Sequence, residues 1–184
     1  MIGRRILLLG VLAALAAVQC AGGEPKEGKV PMTLVLTSSA FKDGGAIPSK
    51  FTCEGADISP ALQWTRPPEH TKSLALICDD PDAPMGTWVH WVLYGIAADS
   101  ASLPEGVAKD AVVKGVGTQG RNDFRKTGYG GPCPPPGKPH RYFFKLYALD
   151  AALDLKPGAE KNDLEKAMKG HILAQGQVVG TFKR

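Results

Sequence analysis

The chain has 184 residues, of which 43% are hydrophobic and 22% are charged, and its formal net charge is +4. This length suits one domain with a sizeable core, and 22 Gly and 15 Pro favour turns and short strands over a helical bundle. The sequence has no cluster of Lys and Arg interleaved with aromatic residues, so nucleic acid is not an expected partner.

The N-terminus has the composition of a secretion signal. Arg4 and Arg5 form a positively charged start, and residues 6–18 form an apolar stretch that is too short to span a membrane as a helix. We therefore predict a signal peptide over residues 1–20, a flexible linker over residues 21–31 and a globular domain over residues 32–184. The protein is expected to be exported, either to the periplasm or as a membrane-anchored lipoprotein.

Cys20 stands where a lipoprotein is cleaved and lipidated. Gln19, however, occupies a position at which the bacterial lipoprotein pattern has a small residue. Lipidation of Cys20 and ordinary signal cleavage near it both remain open, and contact with a membrane is expected only through such a lipid anchor.

The rest of the chain is predicted to be mostly β-structure. Residues 32–38 alternate apolar and hydroxyl side chains, which predicts a half-buried strand. Apolar and aromatic runs predict further strands over residues 73–78, 88–96, 141–149 and 177–182. Cys78, in the first of these runs, is expected to be a small buried hydrophobic residue.

Two further cysteines, Cys53 and Cys133, each lie beside turn residues. In an oxidising compartment they could form a disulfide bond. The alternative is two free thiols in loops, and the spacing has no zinc-finger form.

One helix is predicted near the C-terminus. Asn162 can cap it, with Glu165 three residues later. Gly176 is expected to end the helix. The residues that share one helical face are Leu164, Ala167, Met168, His171 and Ile172.

Two histidines begin predicted strands directly after Pro/Gly-rich turns. His90 follows the turn at residues 79–84, and His140 follows the turn at residues 130–137. Because side chains alternate across a sheet, His90 is predicted to share a face with Val92 and Tyr94, and His140 with Tyr142 and Phe144. If the two strands are neighbours, both imidazoles meet at one end of the sheet.

This inventory suits a small anion pocket. Asp80 and Asp82 flank Pro81, and a carboxylate beside a histidine would orient the ring and favour its protonated form. A protonated histidine and backbone N–H groups of the turns would together hold phosphate or carboxylate. The alternatives are an ordinary Asx turn and a Zn²⁺ site formed by His90, His140, Asp80 and Asp82; the metal is less favoured because the spacing does not preset such a site.

Motifs for catalysis are missing from the sequence. The glycines at residues 131–137 are too far apart for a P-loop, and Pro139 stands where Ser or Thr is required. There is also no Gly-x-Ser-x-Gly elbow. The chain is therefore not expected to be an enzyme, and neither a metal nor a cofactor is predicted.

Three segments, residues 51–64, 80–91 and 130–142, together resemble the phosphatidylethanolamine-binding protein family in its bacterial Raf-kinase-inhibitor-like branch. They contain Cys53-Glu54-Gly55-Ala56-Asp57, then Asp80-Pro81-Asp82-Ala83-Pro84 with Trp88-Val89-His90-Trp91, then Gly130-Gly131-Pro132 and His140-Arg141-Tyr142. Val89 replaces the first histidine of the animal members' Trp-His-His. The resemblance implies a mainly β fold, an antiparallel β-sandwich with a few short peripheral helices, and a small anion pocket at one end. The pocket residues that it implies are Asp80, Asp82, Pro84, Trp88, His90, Gly131, Pro132, His140 and Tyr142.

The sequence thus predicts an exported protein that binds a small anion or a phosphorylated head group. The resemblance adds a second hypothesis, in which the surface of the domain inhibits or modulates a kinase or a protease. The third hypothesis is a metal-dependent or acid/base hydrolase that uses His90, His140 and Asp80.

Overall fold

The computed structural model describes residues 31–184, so the predicted signal peptide, most of the predicted linker and Cys20 lie outside the described residues. Ten strands, one 3-10 helix and one α-helix form this part of the chain. In chain order they are β1 (Met32–Thr33), β2 (Leu36–Ser38), the 3-10 helix (Ser49–Phe51), β3 (Leu62–Trp64), β4 (Ser73–Asp80), β5 (Trp88–Ala97), β6 (Ser102–Leu103), β7 (Val112–Val113), β8 (Gly117–Gln119), β9 (His140–Leu149), α1 (Lys161–Met168) and β10 (Ile172–Phe182). Over these residues, none of the helices has both the length and the apolar character that a membrane span requires.

The strands form two sheets. The large sheet has seven strands in the order β1-β10-β9-β4-β5-β8-β7, and the small sheet has three in the order β2-β3-β6. All neighbouring strands are antiparallel except β1 and β10, which are parallel. This arrangement confirms the predicted, mainly antiparallel β-sandwich.

Each face of the large sheet has its own hydrophobic cluster. The inner cluster lies between the sheets, where Leu62 and Trp64 of the small sheet pack with residues such as Leu76 and Phe144 of the large sheet. The outer cluster joins the other face of the large sheet to α1 through Leu164 and Met168. Because both faces are covered, every residue of β4 is buried, and residues 74–78 of this strand form an uninterrupted apolar run.

Four predicted strands are found in the structure with small changes of boundary, as β4, β5, β9 and the second half of β10. The predicted strand over residues 32–38 is wrong in one respect: it is two strands. β1 pairs with β10 in the large sheet, whereas β2 pairs with β3 in the small sheet. The backbone N–H of Leu34 still donates to Gln175 O, so the chain changes sheets immediately after this residue.

The predicted helix is shorter than expected and begins earlier. Glu160, rather than Asn162, is the N-cap, and it forms a capping box with Asp163. The helix ends at Met168, because Gly170 adopts φ +83, a left-handed conformation that favours glycine and ends helices. His171 and Ile172 are therefore not on the helix, and Ile172 begins β10. Gly176 lies inside β10, where a Cβ atom would come within 2.2 Å of Leu34 O.

Candidate functional site

A pocket of about 200 Å³ lies at one end of the large sheet, where β4 ends and β5 and β9 begin. Five residues of the predicted site line it: Asp80, Pro84, Trp88, His90 and His140. The remaining lining residues are Ala83, Phe124, Cys133, Pro134 and Pro135. The two histidines line the same pocket, although their strands are not neighbours as the prediction assumed, because β4 lies between β5 and β9.

A β-bulge places His90 in this pocket. Cys78 pairs with Trp91 and Asp79 pairs with Val89, so His90 is an extra residue on β5 without a partner on β4. The prediction that His90 shares a face with Val92 and Tyr94 is therefore wrong. Val92 and Tyr94 pack in the outer cluster, whereas the His90 ring lies 5.1 Å from the ring of Tyr142, which belongs to the inner cluster.

The protonation of His90 follows from its surroundings. Its Nδ1 lies 2.7 Å from Gly130 O, and since a carbonyl oxygen can only accept, Nδ1 carries the proton. Burial of the ring lowers the pKa of His90, while the bond to Gly130 opposes that shift to a lesser extent. At neutral pH the ring is therefore neutral and its Nε2 is a hydrogen-bond acceptor.

His140 is held by a buried carboxylate. Its Nδ1 lies 2.8 Å from Asp80 Oδ2, and both side chains are nearly inaccessible to solvent. Asp80 Oδ1 accepts a hydrogen bond from the backbone N–H of Asp82, which closes the turn at Pro81. Because Asp80 occupies Nδ1, only Nε2 of His140 can contact a ligand in the pocket.

Asp82 does not line the pocket, in contrast to its predicted role. Its two carboxylate oxygens accept hydrogen bonds from the Nε, Nη2 and backbone N–H of Arg141. The side-chain hydrogen bonds from Arg141 are the main cause that lowers the pKa of Asp82 to about 2. This ion pair fastens the turn at residues 80–82 to the start of β9, which is a structural role.

Gly131 and Pro132 are also outside the set of lining residues. The backbone N–H of Gly130 donates to His90 O and that of Gly131 donates to Asp57 Oδ1. These two amides are therefore unavailable for an anion, and the predicted contribution of the glycine turn is wrong in this respect. A Cβ atom on Gly131 would lie 2.5 Å from Phe51 O, so the glycine allows close packing of the loop.

Two buried polar hydrogens near the pocket have no acceptor among the residues that the structure describes. They belong to Nε1 of Trp88, which lines the pocket, and to the hydroxyl group of Tyr142, which lies beneath His90. Burial raises the pKa of the Tyr142 hydroxyl, as do the nearby charge of Asp80 and a marginal side-chain interaction with that carboxylate, which does not meet the geometry of a hydrogen bond. A buried donor without an acceptor is unfavourable, so Trp88 would be stabilised by any acceptor that reached its Nε1–H.

Phe124 is a site residue that the sequence analysis missed. Its ring makes edge contacts with Trp88 and His90 at centroid distances of 5.4 and 5.3 Å. Asp123 fixes this position, because it donates its backbone N–H to Val89 O and accepts the N–H of Val89 on its carboxylate. The only signal in the sequence is a single aromatic residue in a polar loop.

A disulfide bond closes one side of the pocket. Cys53 and Cys133 are joined in the structure, with their Cα atoms 5.4 Å apart. The backbone N–H of Cys53 also donates to Pro132 O. The bond holds the loop that carries Cys133, Pro134 and Pro135 against the turn after the 3-10 helix.

The chemistry that this pocket offers is recognition of a small polar group between apolar walls. Its polar lining residues are His140, His90, Trp88 and Asp80, and none of the lining residues carries a free hydroxyl or thiol group. Between residues 31 and 184 no group of three or more His, Cys, Asp or Glu side chains is arranged to hold a metal ion.

Comparison with known proteins gives consistent results. The sequence profile of the family "Phosphatidylethanolamine-binding protein" matches residues 37–183. The UPF0098 protein of Methanothermobacter thermautotrophicus is 52% identical over 149 residues, which cover 81% of this chain and 98% of that protein. Two crystal structures are similar. A phosphatidylethanolamine-binding protein homologue from Chlamydia trachomatis has 41% sequence identity and a TM-score of 0.75, and the match covers 83% of this chain and 98% of that one. Escherichia coli YbcL, described as a new member of the mammalian PEBP family, has 33% sequence identity and a TM-score of 0.76, and the match covers 82% of this chain and 98% of that one.

Proposed function

The chain belongs to the phosphatidylethanolamine-binding protein family, and on that premise we propose that it binds small phosphorylated anions in the pocket between His90 and His140. One observation carries the proposal: His140, with Nδ1 held by Asp80, and Trp88, with an unpaired Nε1–H, line the same 200 Å³ space. This volume suits a phosphate ion or a phosphorylated head group rather than a larger molecule.

The apolar walls strengthen these polar contacts. Phe124, Pro134 and Pro135 keep much of the pocket surface free of competing polar groups, and hydrogen bonds are stronger in a medium of low dielectric constant. An imidazolium at His140, with Asp80 as its counter-ion, would donate a charge-assisted hydrogen bond from Nε2 to a phosphate oxygen.

The matched test uses two histidine–aspartate pairs. His140 pairs with Asp80 inside the pocket, whereas His171 pairs with Asp150 on the exposed surface, and in both pairs Nδ1 lies 2.8 Å from a carboxylate oxygen. Calorimetric titration with inorganic phosphate and with phosphoethanolamine should show that His140→Ala weakens binding about tenfold to a hundredfold, as expected for a lost charge-assisted bond. His171→Ala should leave the affinity unchanged.

Two results would contradict the proposal. Equal affinity in wild type and His140→Ala would make His140 a structural residue. Release of inorganic phosphate from a phosphoester, lost in His140→Ala, would instead favour the hydrolase hypothesis. The hypothesis of a kinase or protease target needs a separate inhibition assay, in which the same two variants serve as probe and control.

We also propose that the protein is exported, as the sequence of residues 1–20 suggests. The measurement is the intact mass of the protein isolated from its source cells. A mature chain that begins near Cys20 is expected, and the additional mass of a diacylglycerol group would show lipidation of Cys20. A chain that still carries residues 1–19 would contradict export through a cleaved signal.

A further inference from the structure

A second pocket, of about 300 Å³, adjoins the first. The two pockets share Phe124 and Cys133 as lining residues, so this aromatic ring and the disulfide lie between them. The rest of the second pocket includes Asp57, Lys109 and Lys126. We call it the lysine pocket.

The charges of the lysine pocket are not balanced. Asp57 is fully engaged, because its Oδ1 accepts the backbone N–H of Gly131 and its Oδ2 accepts a hydrogen bond from Lys109 Nζ at 2.7 Å. Lys126 Nζ, in contrast, has no acidic partner among the residues that the structure describes. With two lysines and one carboxylate, the pocket carries one net positive charge.

The loop that carries Phe124 and Lys126 is firmly held. The side chain of the buried Asn122 accepts the backbone N–H of Lys126 and donates to Gly128 O. Arg125, between Phe124 and Lys126, adopts φ +60, and Asp57 on the opposite wall adopts φ +53. Non-glycine residues adopt such conformations at an energetic cost, and they are concentrated at functional sites.

We propose that the lysine pocket is a second anion subsite, and that the natural ligand of this protein carries two anionic groups. Its phosphoryl group occupies the pocket at His140, and a carboxylate or second phosphate reaches past Phe124 to Lys126. This inference rests on the proposed function, since the first group is assigned to the His140 pocket. It adds the chemical class of the ligand: a phosphorylated acid or a bisphosphate rather than a phosphomonoester with a neutral or cationic remainder.

The experiment uses a series of phosphonocarboxylic acids in which the two acidic groups are separated by an increasing number of methylene groups. The methyl ester of each acid keeps the phosphonate and the chain but lacks the second charge. Calorimetry should show that, at one chain length, the acid binds about twofold to fivefold more tightly than its ester, the range of partly exposed ion pairs. Lys126→Gln should abolish this difference, whereas Lys42→Gln, an exposed lysine in neither pocket, should preserve it.

Each outcome bears on one proposal. If acid and ester bind equally at every chain length while inorganic phosphate still binds, the second subsite is wrong and the first stands. If the preference for the acid persists in Lys126→Gln, Lys126 is not its source and the inference, which assigns the second anionic group to Lys126, is equally wrong. If wild-type protein binds neither phosphate nor any phosphonate, the proposed function itself is wrong.

Discussion

Two residues at the pocket, Tyr142 and His90, can each be tested by replacing a single polar group and measuring the stability of the protein. Tyr142 and Tyr129 are both buried in the inner cluster, but only Tyr129 has a hydrogen-bond partner, since its hydroxyl donates to Phe51 O at 2.8 Å. Tyr142 Oη has only a marginal interaction with Asp80 and no hydrogen bond of good geometry among the described residues. The two tyrosines therefore form a matched pair in which the same deletion of one oxygen atom should have different effects.

Tyr142→Phe is expected to leave the free energy of unfolding of the unliganded protein unchanged or to raise it by up to about 1 kcal/mol, because it removes a buried group without a partner. Tyr129→Phe should lower it by about 1 kcal/mol or more, because Phe51 O loses its donor. Urea denaturation of both variants measures this difference. An equal loss in the two would show that the Tyr142 hydroxyl has a stabilising partner.

The pH dependence of stability should reveal His90. Burial lowers its pKa in the folded state, whereas in the unfolded chain the value is about 6.5. Below this pH the unfolded state takes up the proton first, so the free energy of unfolding should fall as the pH decreases, by at most about 1.4 kcal/mol per pH unit from this group. Above pH 6.5 this contribution is constant.

His90→Asn is the informative variant, because the asparagine amide can replace Nδ1–H as donor to Gly130 O but does not titrate. Denaturation between pH 5 and pH 8 should show a smaller slope in His90→Asn than in wild type. Identical slopes would mean that His90 keeps its ordinary pKa, and hence that the ring is less isolated from solvent than its burial indicates.

At the scale of strands and helices, the alternation of apolar and polar residues predicted where the strands lie in the sequence but not how they pair with one another. The faces of β9 follow the pattern, so His140, Tyr142 and Phe144 are buried together. The face of His90 could not be predicted, because the bulge depends on how β4 pairs with β5 and no residue type in either strand marks its position. The helix boundary failed for a similar reason: residues 164–172 fit a helical period, yet Gly170 ends the helix and the next residues join a sheet.

The candidate site was likewise predictable from the sequence only in part. Asp80, Trp88 and the two histidines lie beside turns that can be recognised in the sequence, and the structure brings them together. The engagement of Asp82 with Arg141 and of the Gly131 amide with Asp57 could not be predicted, since both depend on which partner a polar group faces after folding. Phe124 belongs to a loop whose path is fixed by Asp123 and Asn122.

Asp79 links three elements of the outer layer through ion pairs. This carboxylate at the end of β4 is fully buried and accepts hydrogen bonds from Lys145 on β9 and Lys161 on α1. Asp79→Asn should lower the free energy of unfolding by about 3 kcal/mol, because two partly buried lysines lose their counter-ion. Asp82→Asn, which breaks an exposed pair with Arg141, should have a much smaller effect. Similar losses in urea denaturation would contradict this ranking.

For the whole molecule, the disulfide bond is the largest single constraint on the unfolded chain. It closes a loop with a sequence separation of 80 residues, and the chain-entropy model gives about 4.5 kcal/mol of stabilisation for a loop of this size. Reduction should lower the free energy of unfolding by that amount in wild type and leave a Cys53→Ser/Cys133→Ser variant unaffected. Peptide mapping without reductant should recover the linked peptides, and complete alkylation of both residues in unfolded, unreduced protein would disprove the bond.

The parallel pairing of β1 with β10 determines at which end of the large sheet the described chain begins. β1 lies beside Ala174 and Gln175, near the start of β10, whereas His140 pairs with Phe182 at the other end of that strand. The extended chain from Ala174 to Phe182 separates these two positions by about 26 Å. Met32, the first residue of β1, therefore lies toward the end of the large sheet opposite the pocket. If Cys20 is lipidated, the side of β1 that joins the anchor and the pocket at His140 would lie toward opposite ends of this sheet.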